Sequence, residues 1–268
     1  MSDPTRPGGT FPPDPAEVDA RVSTERQGHV LVIRMQRAAK RNAIDAAMTA
    51  ALDRALDLLD DDPDLWCGVL TGSDGVFCAG TDLANSAGPP TERGGQYGLI
   101  KRRRTTPLIA AVEGLAYGGG FELVLACDML VAGDSARFGL PEVARGVLPT
   151  CGGLFRTWQS LPVTIAKQMV LTGRPMPARR AYELGLVNDL TTDGTALHGA
   201  LELAEQVCEN APTSVSRSLQ VIEDALMRHD AEDWDATEAA LDAVRASADH
   251  REGIAAFLEK RAPHWTGH

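Results

Sequence analysis

A recurring order of strand, turn and helix is the feature of this sequence that most restricts its fold. Three short apolar runs have the composition of buried strands, and they span residues 29–35, 65–71 and 107–113. Between the first two, residues 45–60 carry apolar side chains at helical spacing, with Asp45 in position to cap the helix. Three glycines at 118–120 precede the apolar segment 121–130, for which we predict another helix. This alternation predicts an α/β fold with parallel strands and short connections.

The character of the sequence changes near residue 195. Four amphipathic segments follow, each predicting a helix, at residues 196–210, 212–228, 233–247 and 251–260. The start of the chain is rich in proline and glycine and has no apolar run. We therefore expect a flexible segment at 1–20, an α/β core at 21–195 and a helical C-terminal module at 196–268. The apolar faces of that module must be buried either on the same chain or on another subunit.

The charge balance narrows the classes of partner. The net charge is −11, whereas a protein that tracks nucleic-acid phosphates needs a basic surface, so we expect no nucleic-acid partner. No apolar run reaches the ~18 residues of a membrane-spanning helix, and the N-terminus lacks a secretory or transit pattern. We therefore expect a cytoplasmic protein. The densest basic run, residues 101–104, is either a solvated helix face or a local site for an anionic ligand.

The five cysteines are scattered, with no CxxC pair and no clustered histidines. Such a pattern in a cytoplasmic protein favours free thiols packed as small apolar groups. We expect neither a disulfide framework nor a metal site.

The glycine turn at 118–120 is the first segment that could take part in chemistry. Consecutive glycines let the backbone turn tightly, and the first N–H groups of a helix have no partner within the helix. Such a turn can hold an oxyanion, yet by itself it is equally consistent with close packing between helix and strand. It is neither an NTPase phosphate loop nor a dinucleotide fingerprint. Glu122 follows within the first helical turn, where its carboxylate either complements the helix dipole or faces whatever the glycines hold.

Two further segments carry candidate residues. The segment 77–83 follows the strand at 65–71, so it lies where a parallel sheet commonly binds ligands, and the backbone N–H of Thr81 can point into that crevice. The segment 138–153 contains Glu142. Two carboxylates suit a water molecule held between them, one accepting its proton and the other donating, and unequal burial would separate their pKa values.

Taken together, these segments resemble the crotonase, or enoyl-CoA hydratase/isomerase, superfamily. The similarity covers about residues 22–265. Its motifs are FCAGTDL, AVEGLAYGGGFELVLACDMLVA, FGLPEVARGVLP and AFLEKRAP. The separation of 20 positions between Glu122 and Glu142 also agrees with the hydratase pattern.

The resemblance implies a spiral of ββα repeats with a helical C-terminal trimerisation module, assembled as a homotrimer or a dimer of trimers. It implies an acyl-CoA thioester substrate, as in fatty-acid metabolism, and no cofactor, since coenzyme A is part of the substrate. The thioester carbonyl would accept hydrogen bonds from the N–H groups of Thr81 and Gly119, which form an oxyanion hole. One glutamate would activate water for addition at C3, and Glu142 would supply the proton at C2.

The family's substrate-binding positions correspond to Lys40, Arg41, Ala79, Asp82, Leu83, Tyr117, Gly118, Pro141, Thr150 and Lys260. Lys40, Arg41 and Lys260 are either contacts for CoA phosphates or ordinary exposed cations. Thr150 stands where hydratases often have glycine, so its side chain could crowd the proposed water. The proline of an N-terminal Arg-Pro pair is also replaced, by Ala38.

Having both glutamates favours hydration, or dehydration, of the 2,3 double bond of an acyl-CoA. Two alternatives remain: enoyl-CoA isomerisation on the same scaffold, and a non-catalytic acyl-CoA-binding protein. The acyl group depends on how residues 86–106 and the C-terminal helices close the crevice, and its identity does not follow from the sequence.

Overall fold

A computed structural model describes residues 21–268; the flexible segment expected at 1–20 lies outside the described residues. The strands within this range are β1 (Val22–Gln27), β2 (Val30–Met35), β3 (Cys67–Thr71), β4 (Leu108–Val112), β5 (Leu115–Tyr117), β6 (Met129–Gly133), β7 (Arg137–Gly139), β8 (Met176–Pro177) and β9 (Asp189–Thr191). The α-helices of the same range are α1 (Ala46–Asp61), α2 (Gly119–Leu125), α3 (Gly153–Ser160), α4 (Val163–Thr172), α5 (Ala178–Glu183), α6 (Ala196–Cys208), α7 (Pro212–Leu226), α8 (Asp230–Ala246) and α9 (Ala248–Glu259).

Two sheets organise the chain. The larger has the strand order β1-β2-β3-β4-β6-β9, and all its neighbours are parallel except the hairpin of β1 and β2. The smaller has the order β5-β7-β8. Strands β4 and β6 of the large sheet are each followed at once by a strand of the small sheet, and β5 leads into α2. This repeated passage confirms the predicted α/β architecture.

Both faces of the large sheet are apolar. One face packs against α1 and the interior of the spiral, with Ile33 and Leu70 fully buried. The other face presents Val69 and Ile109 to Ala200 and Ala204 of α6. Burial on both sides explains why these strands are continuous apolar runs. The first helix of the predicted C-terminal module thus covers the core sheet, while the division at residue 195 stays a prediction.

Helices α8 and α9 bury apolar surface on their own chain. Trp234 of α8 meets the ring of Phe155 in α3 edge-on, with 5.0 Å between ring centroids. In α9, a Cβ added to Gly253 would lie 2.2 Å from the carbonyl oxygen of Arg145, so the helix backbone approaches the turn at 142–145 closely. Both helices therefore bury part of their apolar surface on their own chain, and burial of the remainder on another subunit stays a prediction.

The helix predicted at 121–130 is shorter than expected: α2 ends at Leu125, and β6 begins at Met129. The cause lies at Asp128, whose carboxylate accepts a hydrogen bond from the backbone N–H of Leu108 at 2.7 Å. The same carboxylate receives two hydrogen bonds from Arg104, at 2.7 and 3.0 Å. Because of these long-range contacts the chain enters the sheet as β6, although its local sequence favours a longer helix.

The basic run at 101–104 is neither a solvated helix face nor an anion site. Arg104 is buried with Asp128, and Arg102 is buried among the carboxylates of Asp53, Asp57 and Asp60. Alternate residues of the run point inward, which a helix of exposed cations does not produce. The inward arginines are neutralised by aspartates, so they stabilise the connection into β4.

None of the helices in the described part of the chain is long and apolar enough to cross a membrane.

Replacing Asp128 with alanine leaves the buried Arg104 without its carboxylate partner. Removing one member of a buried ion pair costs about 3–5 kcal/mol, so we expect the free energy of unfolding to fall by that amount in urea titrations. The control is Asp224→Ala, because Asp224 pairs with Arg103 on the surface, where an exposed pair contributes about 0–1 kcal/mol. Equal losses in the two variants would contradict this interpretation.

Candidate active site

The site begins where the segment 77–82 passes over the start of α2. The N–H of Cys78 donates to the carbonyl of Leu115, and the N–H of Tyr117 donates to the carbonyl of Cys78, both at 3.0 Å. Gly80 has a φ of +95°, and a Cβ there would lie 2.7 Å from the carbonyl oxygen of Tyr117 and 3.1 Å from the backbone nitrogen of Gly119. Only glycine permits this approach, which brings the two backbones together.

Two backbone N–H groups at this crossing have no acceptor among residues 21–268. The N–H of Gly119 opens α2, where the first turn has no partner within the helix. The N–H of Thr81 is free because the neighbouring hydrogen bonds to Ile44 use Gly80 and Asp82 instead, at 2.9 Å each. A pair of unpaired donors beside a helix N-terminus is the arrangement that binds an oxyanion.

Glu122 is buried, with 2% of its surface exposed. Its Oε1 accepts hydrogen bonds from the backbone N–H groups of Cys151 at 2.6 Å and Gly153 at 2.9 Å. Burial raises the pKa of Glu122 to about 7, against the lowering effect of those two N–H groups. The carboxylate is therefore held in a fixed position through one of its oxygens. Its pKa of about 7 suits a group that exchanges protons near neutral pH.

Glu142 begins the short 3-10 turn Glu142–Arg145. Its Oε1 faces the glycine turn, since a Cβ on Gly118 would lie 2.9 Å away from it. Its Oε2 is buried without a hydrogen-bond partner within residues 21–268. Burial, and then the negative charge of Glu122, raise the pKa of Glu142 to about 8. Both carboxyl groups therefore keep their protons to higher pH than an exposed glutamate does, and the pKa of Glu142 is the higher of the two.

A cavity of about 520 Å³ joins these groups. Its floor contains the free N–H pair and both glutamates, and Val147 and Leu148 form part of one wall. The C-terminal helices cover it with apolar side chains, namely Leu241 of α8 and Ile254, Phe257 and Leu258 of α9. The cavity thus combines an apolar cover with a small number of convergent polar groups, as ligand sites commonly do.

Most of the residues predicted from the sequence lie together at this cavity. Its lining includes Ala79, Thr81, Asp82, Leu83, Gly118, Gly119, Glu122, Glu142 and Thr150. Tyr117 and Pro141 precede lining residues without lining the cavity themselves. Lys40, Arg41 and Lys260 are exposed and also lie outside the lining. The proposed contacts of these three cations with CoA phosphates stay predictions.

Asp82 lies at the cavity, but its carboxylate is already engaged. It accepts hydrogen bonds from Asn85 at 2.9 Å and pairs with Arg37 at 2.7 Å. These contacts hold the pKa of Asp82 well below its usual range. The carboxylate therefore anchors the segment that carries Thr81, which is a structural function beside the binding role predicted for it.

Sequence reasoning missed Tyr97, which lines the cavity with its hydroxyl 2.7 Å from Oγ1 of Thr81. The signal available was an aromatic residue enclosed by Gly94, Gly95 and Gly98. It also missed Arg145, Arg245 and His250 on the covering side. No group of three histidine, cysteine, aspartate or glutamate side chains in the described range is placed to hold a metal ion.

The fold and the site together define a protein of the crotonase type, and comparison with known proteins identifies its family. The model of the enoyl-CoA hydratase/isomerase family matches residues 25–268. The chain belongs to that family.

Individual relatives extend over nearly the whole chain. It is 41% identical to the enoyl-CoA hydratase EchA19 of Mycobacterium tuberculosis, over 90% of this chain and 94% of that protein. It is 38% identical to a carnitinyl-CoA dehydratase of Salmonella arizonae, over 91% and 97% of the two chains. The crystal structure of a carnitinyl-CoA hydratase from Mycobacterium avium superposes with a TM-score of 0.88 at 39% identity, over 94% of this chain and 100% of that one. These similarities confirm the predicted family, the crotonase fold and an enzyme of the hydratase type.

Replacing Glu142 with glutamine should stabilise the fold at alkaline pH. The pKa of Glu142 is raised on folding, so the folded state favours its neutral form, and the wild type loses stability as the pH rises from about 4.5 to about 8. We expect the variant to unfold with a free energy higher by about 2–4 kcal/mol at pH 9, and with little difference at pH 4.5. Urea titrations at both pH values measure this.

The matched control for that experiment is Glu238→Gln, because Glu238 is exposed on α8. It should change the free energy of unfolding by less than about 0.5 kcal/mol at either pH. A Glu142→Gln variant that is no more stable than wild type at pH 9 would show that the buried charge carries no such cost.

Proposed function

We propose that this enzyme adds water across the 2,3 double bond of an enoyl-CoA thioester and removes it in the reverse direction. The observation that supports this most directly is a pair of carboxylates, the buried Glu122 and the partly buried Glu142, in one cavity with two backbone N–H groups that have no acceptor within residues 21–268. Water addition needs a base for the water, an acid for the carbon and a site for the charge that develops on the thioester oxygen. The cavity contains one group of each kind.

In the proposed reaction the ionised carboxylate of Glu122 takes a proton from water. The water oxygen bonds to C3, and the electron pair of the double bond moves towards the thioester carbonyl, giving an enolate. The N–H groups of Thr81 and Gly119 donate to that oxygen, and such a donor commonly contributes about 3–4 kcal/mol of transition-state stabilisation. Glu142 then gives its proton to C2, which completes the addition of H and OH.

The proton affinities support this division of roles. Glu142 has the higher pKa and an oxygen without a partner, so it is the carboxyl group that holds a proton near neutral pH. Glu122 is fixed by two N–H groups that favour its ionised form. A base that is ionised and an acid that is protonated can thus coexist in one cavity at the same pH.

Hydration is favoured over isomerisation because double-bond migration needs only one proton carrier at the acyl group. No cofactor takes part in the proposed reaction, and coenzyme A belongs to the substrate. Assembly as a homotrimer or a dimer of trimers, and a cytoplasmic location, remain predictions from the family. A nucleic-acid partner is still not expected from the net charge.

The lining of the cavity also bears on which acyl group the substrate carries. Thr150 and Tyr97 place hydroxyl groups at the cavity beside the two glutamates, and some relatives are named for carnitinyl-CoA. We propose an acyl chain that carries a polar substituent. A panel of enoyl-CoA thioesters differing in length, branching and polarity, with products identified by mass, would test this.

Replacing either glutamate with glutamine should abolish most hydration. We expect Glu122→Gln and Glu142→Gln each to lower kcat by about 10²–10⁴-fold, the usual contribution of a positioned acid or base. The assay follows loss of the enoyl thioester absorbance of crotonyl-CoA, repeated with the best substrate of the panel. The control is Glu183→Gln, because Glu183 is exposed on α5 and does not line the cavity. Unchanged turnover in both glutamate variants would overturn the assignment.

The same variants separate the alternatives. If Glu122→Gln still converts a 3-enoyl-CoA to the 2-enoyl isomer while hydration is lost, the enzyme is an isomerase. If wild type binds CoA thioesters tightly and turns over none of the panel, the protein only binds acyl-CoA.

The pH dependence of kcat/KM should be a narrow bell. Activity requires one proton on the carboxylate pair, so it should fall below about pH 7, where Glu122 becomes protonated, and above about pH 8, where Glu142 loses its proton. Steady-state rates between pH 5 and 10 measure both limbs. A profile that stays flat across this range would show that the pair does not carry the reacting protons.

A further inference from the structure

Tyr97 occupies a backbone conformation that aromatic residues rarely adopt. Its φ is +57°, in the left-handed region, and its side chain is buried with 5% exposed. Because tyrosine has no intrinsic preference for this backbone conformation, contacts with the surrounding structure must hold Tyr97 in it. Such outliers concentrate at functional sites, and this one lies at the cavity described above.

The loop that carries Tyr97 is fastened to helix α1 through Asp53. Thr91 at the start of the loop donates to the Asp53 carboxylate at 2.8 Å, and Arg102 at its end pairs with the same carboxylate. Gly98 packs against the α1 backbone so closely that a Cβ there would lie 2.6 Å from the nitrogen of Asp53. The position of the phenol is therefore set by the scaffold on both sides of the loop.

The hydroxyl of Tyr97 lies between the two residues whose N–H groups are free. It is hydrogen-bonded to Oγ1 of Thr81 at 2.7 Å. It also lies directly over Gly119, where a Cβ would be in collision with the phenol oxygen. Burial raises the pKa of Tyr97 well above its usual value, so the hydroxyl keeps its proton in the working range.

The hydroxyl of Tyr97 needs an explanation beyond the packing of its buried ring. A phenylalanine would fill this volume equally well, and a buried hydroxyl costs free energy unless it is hydrogen-bonded. The hydroxyl is hydrogen-bonded to Thr81 and lies over Gly119, the first residue of the helix that carries Glu122, so it links the two backbone segments of the site.

We propose that Tyr97 is a positioning residue for the oxyanion hole: its hydroxyl, bonded to Thr81 and seated over Gly119, fixes the spacing of their N–H groups. This rests on the proposed function, in which those N–H groups hold the thioester oxygen. Stabilisation of a developing charge depends on donors fixed before the reaction, so the hydroxyl acts on the transition state more than on substrate binding.

The first test is Tyr97→Phe, which removes the hydroxyl and keeps the ring. We expect kcat for hydration to fall about tenfold, with KM changed by less than about twofold, because a loss of donor preorganisation affects the transition state selectively. The matched control is Tyr182→Phe, because Tyr182 is exposed on α5 and should keep wild-type kinetics. A Tyr97→Phe enzyme with wild-type kcat overturns the proposal.

A double-mutant cycle tests whether the effect passes through Thr81. Thr81→Val removes the other hydroxyl of the pair, and the double variant should lose no more kcat than the larger single loss. Thr81→Ser restores a hydroxyl and should recover most of the activity lost in Thr81→Val. If Tyr97→Phe does not fold, the valine and serine variants carry the test, and equal kcat in both overturns the proposal. Additive losses in the cycle also overturn it.

A spectroscopic readout separates this proposal from the proposed function. Difference infrared spectra of bound butyryl-CoA should show the thioester carbonyl shifted to lower frequency in wild type, and shifted less in Tyr97→Phe. Equal shifts in the two enzymes leave the oxyanion hole in place and reject the role of Tyr97. No shift in wild type rejects the oxyanion hole itself, and the role of Tyr97 with it.

Discussion

The close approach of two backbone segments at Gly80 and Gly119 is the constraint on which the rest of the site depends. A side chain at position 80 would occupy the space of the Tyr117 carbonyl, and one at position 120 would meet the carbonyl of Cys78 at 2.3 Å. Without side chains, the loop after β3 can lie against the start of α2. That contact leaves two N–H groups side by side without an acceptor in the described part of the chain, which a fold optimised only for stability would avoid.

The placement of the two carboxylates also lowers the stability of the fold. Burying an ionised group is unfavourable, and the protein compensates unequally. Glu122 receives two backbone N–H groups from the turn before α3, whereas Oε2 of Glu142 receives none within residues 21–268. This asymmetry makes the pKa of Glu142 the higher of the two. In the proposed reaction it allows two residues of the same chemical type to serve as base and acid.

Local signals predicted the parts of the fold that local interactions decide. Asp45 caps α1 as expected, since its side chain accepts from the N–H of Met48, and the strands at β2 and β4 lie within one residue of their predicted bounds. The end of α2 was wrong because Asp128 bonds to a strand twenty positions away. Tyr97 was missed because its backbone conformation contradicts tyrosine's own preference, and contacts with distant parts of the chain hold it there. The candidate residues of the proposed reaction followed from family motifs, while the difference between their pKa values depends on burial that only the fold supplies.

Burial also gives the C-terminal helices a chemical role. Helix α9 packs on the turn that begins with Glu142: His250 lies 2.9 Å from the carbonyl of Gly146, and a Cβ on Gly146 would meet the carbonyl of Asp249 at 2.5 Å. Burial is the largest cause of the raised pKa of Glu142. If α8 and α9 moved away and water entered, that pKa would return towards its ordinary value, and both glutamates would ionise at neutral pH. The site would keep its base and lose its acid. In the proposed reaction the cover formed by the last two helices therefore takes part in the acid–base chemistry, because burial keeps the pKa of Glu142 raised.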